Sequence, residues 1–527
     1  MSAVVGVVVL ALAVLTVLAV WILGLVDLLR RRDLRLLAKL GWSAAFVAAP
    51  ALGALLYLLK RPVAVDRTVV GDPVAPPVEL PSGVDRRSAR AVQQVARMAA
   101  RGLFRSVEIV GPASVATSGP QLWCASHFGA FSDPIVLLHS LQRPPRFLAA
   151  DGLFRIPGLS SLLRLVAAIP VRRTQDGGGA ANASMFDACH EALAVGDALT
   201  IFPEGVATEG AALAPLRTGA ARIALGARAA GVAGQQLVPV GIHYQDRAAL
   251  RRRVYVDVGE PLDLDVWLEA SGRDPQTATD GDHHAVRALT SELDRRLRRV
   301  APQFQDVGEA VALHGAAAIA LDRGGQRASW AQRAELAAEL GRRSVEDRAE
   351  LVAAVEAYRA ELDAVGLSDA EVRAPAHRSR RRLLATGLAG LALLPFAVAG
   401  AILHAPLVLL VRAAQRLRVA DPTMATILPA VALLGTLLTW GTAAWLLADP
   451  ALGTPVIGSR EGRAGGVLVW LLVLPLWGWA AMVVSERTAL AWTGLRHRRR
   501  TGRRLSTDVA GMVRADRERV VALVGAQ

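Results

Sequence analysis

Long uncharged apolar runs sit near both ends of this chain and are missing from residues 90–377, so a water-soluble domain has to be built from the middle. At the start the runs are 4–26 and 40–59; towards the end they are 383–411, 423–448 and 464–485. Lengths of this order suit a hydrocarbon core that takes about 20 helical residues to cross. Run 4–26 has no basic stretch before it and is followed by Arg30, Arg31 and Arg32, the pattern of a retained anchor and not of a cleaved signal.

Arginine placement orients these runs, because basic loops stay on the cytoplasmic side. The segment "DLLRRRDLRLLAK" between the first two runs is cytoplasmic by that rule, and "KRPVAVDR" after the second is basic as well. Either one run lies along the cytoplasmic leaflet, or the two form a simple two-span anchor. Run 383–411 is bracketed by Arg378, Arg380, Arg381 and Arg382 before it and by Arg412, Arg416 and Arg418 after it. With Pro395 and Gly400 near its middle, it reads as a re-entrant hairpin. Runs 423–448 and 464–485 read as a two-helix hairpin with both ends cytoplasmic, since the tail "RHRRRTGRR" is strongly basic.

The chain therefore divides into membrane-anchoring helices at 1–61, an α/β domain at 90–300, a helical connector at 301–377, a membrane region at 378–490 and a basic cytoplasmic tail at 491–527. Residues 62–85 are Pro-rich and read as a linker. The formal charge of +14 is carried almost wholly by arginine and calls for an anionic partner. Lipid headgroups fit better than nucleic acid, because the arginine clusters flank apolar runs and four tyrosines make no stacking platform. With Cys124 and Cys189 alone, neither a disulfide framework nor a cysteine-rich zinc site is available, and no metal site is expected.

Between 90 and 300, short β-branched runs alternate with Ala/Leu/Arg-rich stretches. "VEIVG", "LWCAS", "RFLAA", "AAIPV", "LTIFP", "LVPVGI" and "RVYVDVG" are the candidate strands. Alternation of this kind predicts an α/β fold: a mixed, largely parallel sheet flanked by helices, here with N- and C-terminal membrane helices added.

Four stretches of that domain carry chemistry. "HFGAFSDP" places His127 and Asp133 on a strand-to-helix turn, where open α/β sheets bind ligands. Asp133 has two readings: N-cap of the helix that begins near Pro134, or carboxylate partner that fixes the tautomer of His127 and leaves its other nitrogen as a general base. "LTIFPEGVATEG" ends a strand in Glu204 and Gly205, either a site for close approach to a ligand or an ordinary turn. "AAIPVRR" supplies Arg172 and Arg173, and "PLRTGAARIAL" supplies Arg217 and Arg222. These are candidate phosphate ligands or plain surface charges. The apolar segment "PGLSSLLRLVAA" at 157–168 reads as a core helix, or else as a dock for an acyl chain or bilayer.

Taken in order, His-x5-Asp, IPV-x-Arg, FPEG, the Thr-Gly-Ala-Ala-Arg helix start and VPVGI resemble the glycerolipid acyltransferase family, which acylates lysophosphatidic acid and glycerol 3-phosphate. The resemblance covers about 120–260; "YVDVGEPLDL" resembles the strand that closes the family's domain, and "GAILHAPLVLLVRAAQRL" the C-terminal membrane region of its large members. It implies that His127 deprotonates the acceptor hydroxyl, that Asp133 orients His127, that Glu204 and Gly205 contact the glycerol part of the acceptor, and that Arg173, Arg172 and Arg217 hold phosphate. It implies acyl-CoA or acyl-carrier protein as co-substrate with no further cofactor. The acceptor would be a phosphorylated glycerol type or a lysophospholipid, in phospholipid biosynthesis at the cell membrane, with the catalytic domain facing the cytoplasm.

Two departures accompany the likeness. The family's commonest spacing is His-x4-Asp, one residue shorter than here. Its third motif often continues Glu-Gly-Thr-Arg-Ser, whereas this chain has Val206, Ala207 and Thr208 after Gly205 and no arginine. A cysteine hydrolase acting through Cys124 and a non-catalytic lipid-binding scaffold are the rival readings.

Overall fold

The computed structural model describes residues 86–112, 114–141, 143–156, 159–172, 183–207, 210–247, 249–322, 328–366, 397–413, 421–448, 470–471, 473–482, 484–485 and 507–525, with isolated positions at 28, 42–43, 369, 372, 394 and 467. The first N-terminal run, all of the second but 42–43, the linker, Arg173 and Arg378–Arg382 lie outside these residues. The chain forms two compact units, one of 64–361 with 419–429 and 515–527, the other of 1–63, 362–418 and 430–514.

The first unit is an eight-stranded sheet with helices packed on it. After α1 (Arg86–Leu103) come β1 (Phe104–Val110), β2 (Gln121–Ala125), α2 (Ser132–Ser140), β3 (Arg146–Ala150), a 3-10 turn (Asp151–Arg155) and α3 (Leu159–Leu165). Then follow β4 (Ile169–Val171), α4 (Ala183–Ala194), β5 (Ala198–Ile201), α5 (Gly219–Ala229), β6 (Gln236–Tyr244), β7 (Arg252–Val258), β8 (Leu262–Asp263), α6 (Leu264–Ala270) and α7 (His283–Val300). Strand order is β1-β7-β6-β2-β5-β3-β4, with β8 beside β6. Pairing is parallel throughout except where β6 meets β7 and β8. Each predicted strand is present, and the mixed, largely parallel sheet is the expected fold class.

Alternation along the strands sorts side chains to two faces. Leu122, Cys124, Leu199 and Leu237 share one core with Cys189, Leu193, Ile223, Leu225, Leu289 and Leu293 from α4, α5 and α7. Removing one such leucine side chain costs about 2–5 kcal/mol, because the cavity left behind cannot fully collapse.

Packing does not stop at residue 300. α8 (Val307–Leu321), α9 (Trp330–Leu340) and α10 (Val345–Val365) continue within the same unit as far as residue 361. α9 opens with a capping box, Ser329 with Gln332. Both oxygens of Glu108 on β1 also accept its first amides, from Trp330 (3.1 Å) and Ala331 (2.7 Å). The helix Thr507–Gly525 belongs to this unit from residue 515, and Arg343 donates to its last carbonyls, Leu523 O (2.7 Å) and Val524 O (2.6 Å). Helices 301–361 are thus part of the sheet domain's own body.

One described helix is long and apolar enough to cross a membrane, Leu428–Leu447, which belongs to the second unit from residue 430; Ala397–Ala413 and Val473–Met482 are shorter apolar helices of that unit. His404 sits among them with both ring nitrogens engaged: Nδ1 with Gly400 O (2.8 Å), and Nε2 accepting from Trp440 Nε1 (3.0 Å).

Two acids, Asp257 on β7 and Glu335 on α9, meet at the Tyr255 hydroxyl. The Tyr255 hydroxyl donates to Glu335 Oε1 (3.1 Å), and burial beside Glu335 pushes the Asp257 carboxyl up to about 7. A carboxyl whose folded value exceeds its unfolded value favours folding when protonated and loses that contribution as pH rises from about 4 to about 7. Asp257→Asn, which mimics the protonated form, should raise the unfolding temperature of the full chain at pH 8 by several degrees and change it little at pH 5, followed by tryptophan fluorescence.

Candidate active site

Because β2, β3, β4, β5 and β6 run parallel, their carboxyl ends share one edge, the edge where such sheets bind ligands. His127 lies two residues past β2, Glu204 three past β5, Arg172 one past β4, and Tyr244 ends β6. Topology alone therefore gathers most of the residues singled out by sequence.

The loop after β2 is pinned before it turns. Ser126 N donates to Val240 O (2.9 Å), and Ser126 Oγ accepts from Ile242 N (3.0 Å), so β2 stays stitched to β6 one residue beyond its end. Phe128 then buries its ring among Leu213, Leu297 and Val300. His127, between these anchors, has its ring stacked on Phe202 at 4.2 Å between centroids and 18° between planes.

His127 Nδ1 lies 2.8 Å from Asp133 Oδ2. An ionised carboxylate only accepts, so Nδ1 carries the proton and Nε2 presents its lone pair. The His127 side chain keeps 19% of its surface exposed, while Asp133 has none. A fully buried carboxylate has to be met by donors. Besides His127, the Gly129 amide lies 3.0 Å from each oxygen, and the Tyr244 hydroxyl donates to Oδ1 at 2.7 Å. Asp133 is the second residue of α2, whose N-cap is Phe131 with no side-chain bond. Asp133 thus stands beyond the cap position of α2, with its carboxylate beside His127 Nδ1.

The extra residue of the His-x5-Asp spacing is taken up in the turn itself. Ala130 adopts φ +48°, a left-handed conformation that costs a non-glycine residue about 1–2 kcal/mol. Ser132 N and Asp133 N close the turn onto Gly129 O (2.9 Å) and Ala130 O (3.3 Å). A side chain at 129 would overlap the Tyr244 hydroxyl and Asp133 Oδ1, so glycine is what lets the two oxygens meet.

Glu204, expected to accept from substrate hydroxyls, also meets the protein's own backbone. It is 2% exposed, and its oxygens accept backbone amides: His127 N at 2.7 Å and Ala214 N at 3.1 Å. In this structure its carboxylate fixes the loop that carries the histidine. Gly205 follows at φ +75°, and a Cβ there would stand 2.8 Å from Arg217 Nε, so the arginine side chain lies across the glycine. Arg217 is exposed and held to this turn by its own amide, which donates to Pro203 O (2.8 Å). Arg172 is exposed at the end of β4, and Arg222 is half-buried within α5.

Cys124 is fully buried, and desolvation pushes its thiol up to about 12, opposite to what a nucleophilic thiolate needs. Among the described residues, no three His, Cys, Asp or Glu side chains converge as a metal ion would require. The 157–168 segment is not a core helix in its described part: Leu165 is 44% exposed, and Ile156 just ahead of it 47%. Tyr244, Gly129 and Phe202 escaped the sequence reading. Tyr244 had one signal: it closes "VPVGIHY" at the carboxyl end of a predicted strand.

Comparison with known proteins follows the same stretch. Residues 106–243 match the family described as Acyltransferase. Glycerol-3-phosphate O-acyltransferase 2 of Saccharomyces cerevisiae is 32% identical over 124 residues, and glycerol-3-phosphate O-acyltransferase 1 of the same yeast 31% over 117. These matches cover 23% and 22% of this chain but only 15% of each yeast protein. Among solved structures, the 1-acyl-sn-glycerophosphate (LPA) acyltransferase PlsC of Thermotoga maritima aligns at 17% identity and TM-score 0.28, over 55% of this chain and 94% of its own.

If Glu204 serves the loop and not the ligand, its loss must register in stability. Glu204→Ala, which strands two amides, should lower the unfolding free energy by about 2–3 kcal/mol in a denaturant titration. A carboxylate kept only for substrate contact would leave the midpoint unchanged.

Proposed function

We propose that this protein, whose residues 106–243 match the Acyltransferase family and resemble glycerolipid members of it, moves a fatty acyl group from a thioester donor to the hydroxyl of a glycerol-type acceptor. The observation that carries the reading is the 2.8 Å contact between His127 Nδ1 and the buried Asp133, with Nε2 turned free on a partly exposed ring.

The chemistry needs little else. Nε2 takes the proton of the acceptor hydroxyl as its oxygen attacks the thioester carbonyl; collapse of the tetrahedral adduct forms the oxygen ester and expels the thiolate. The thiolate then recovers the proton from the imidazolium, leaving a free thiol, an ester and the starting histidine. The Asp133 charge stabilises the transient imidazolium and holds the ring in one tautomer. Glu204 sets the height of the histidine loop, and Phe202 sets the plane of its ring. No covalent acyl-enzyme is required, and the buried Cys124 is a core residue.

Acyl-CoA or acyl-carrier protein is the donor in this reading. The acceptor is glycerol 3-phosphate, dihydroxyacetone phosphate or a lysophospholipid, its phosphate held by Arg217 with Arg172 and Arg173. Arg217 takes the place of the arginine missing after Gly205, since its side chain already lies across that glycine. Leu428–Leu447 and the arginine-flanked apolar runs support a cell-membrane location with the catalytic unit on the cytoplasmic side, where a water-soluble donor arrives.

His127→Ala should cut acyl transfer by about 10²–10⁴-fold, the usual worth of a positioned general base, while the protein stays folded and membrane-bound. Asp133→Asn should be severe as well, and Cys124→Ala should retain full activity. Purified protein, labelled acyl-CoA and a panel of phosphorylated and unphosphorylated acceptors give the measurement; His127→Ala at parental rate would refute the reading.

A further inference from the structure

We propose that Tyr244 is a positioning residue of the reaction, fixing the carboxylate of Asp133 in the longer His-x5-Asp turn and thereby setting the pH at which His127 becomes an active base. The proposal rests on the acyl-transfer reading of His127 and adds to it a residue from a different strand.

Three observations converge on the tyrosine. Its hydroxyl donates to Asp133 Oδ1 at 2.7 Å, the oxygen opposite the one that faces His127. The turn is shaped around that bond, for Gly129 is the residue whose side chain would block it, and Ala130 bears a left-handed φ to complete the loop. The ring is itself supported, lying 6.0 Å from Phe104 on β1 and against the cluster that buries Phe128. Burial and the Asp133 charge together raise the tyrosine well above its ordinary range, so it remains a donor at any working pH.

Its effect passes through Asp133. The groups that face this carboxylate are His127 and the Gly129 amide on its own loop and Tyr244 from β6; Glu204, from the end of β5, touches the loop through the His127 amide. Tyr244 draws part of the carboxylate's charge towards Oδ1. Without it that charge faces the imidazole alone, the imidazolium is favoured more, and the carboxylate is freer to rotate away from Nδ1. A neutral base then appears only at higher pH, and fewer molecules hold it in line.

Tyr244→Phe in the full chain removes the hydroxyl and keeps the ring. The acid limb of the pH–kcat profile should move to higher pH by about half a unit or more, with kcat at neutral pH falling about tenfold. KM for either substrate should stay within about twofold, since the residue touches neither. In parallel, ¹⁵N-histidine NMR, with His127→Asn to assign the signal, should show the His127 titration displaced in the same direction. Phe at 244 with parental kcat, acid limb and His127 titration would overturn the proposal, and so would lost stability with the profile per folded enzyme unchanged. A parental protein inactive on every donor and acceptor would instead remove the acyl-transfer reading, and the NMR titration would still decide whether Tyr244 governs His127.

Discussion

One carboxylate with no exposed surface governs the arrangement of this site. Moving Asp133 out of water is costly, and the fold meets the cost with a ring nitrogen, a backbone amide and a phenol arranged about its two oxygens. Each donor in turn demands something of the sequence. The imidazole needs a loop anchored at Ser126 and Phe128, the amide needs a turn that runs through Gly129 and Ala130, and the phenol needs β6 to end where it does. Replace any of these and the carboxylate is left with an unmet lone pair in a place water does not reach.

A second buried carboxylate supports the first from below. Glu204 ties the amide of His127 to the amide of Ala214, and so couples the loop after β2 to the segment that leads into α5. Two acids 71 residues apart in sequence thus do different work: the Asp133 carboxylate addresses the imidazole, whereas that of Glu204 addresses the backbone that carries it. Arg217 and Gly205 stand at the outer end of the same turn, where an anionic ligand would meet the guanidinium first.

Much of this was legible before any coordinates. Strand positions could be read because parallel strands buried on both faces are short β-branched runs, such as "LTIF" and "LVPV". The dyad was legible because a histidine and an aspartate flanked a strand-to-helix turn. What escaped reading depends on which atoms a side chain finally meets. "FPEG" looks the same whether its glutamate faces a ligand or two amides, and only the approach of His127 N decides. Tyr244 lies 111 residues from Asp133, too far for spacing to reveal the bond. Helices 301–361 read as a connector because alanine-rich amphipathic helices pack equally well anywhere. Glu108, 222 residues before Trp330, is what attaches them to β1.

Whether the imidazole acts as the base is tested most directly by chemical rescue. His127→Gly leaves a gap at the ring's position and should be nearly inactive in acyl transfer, with free imidazole restoring the rate in proportion to the concentration of its neutral form. A glycine variant as fast as the parent without imidazole would contradict the central role given to this residue.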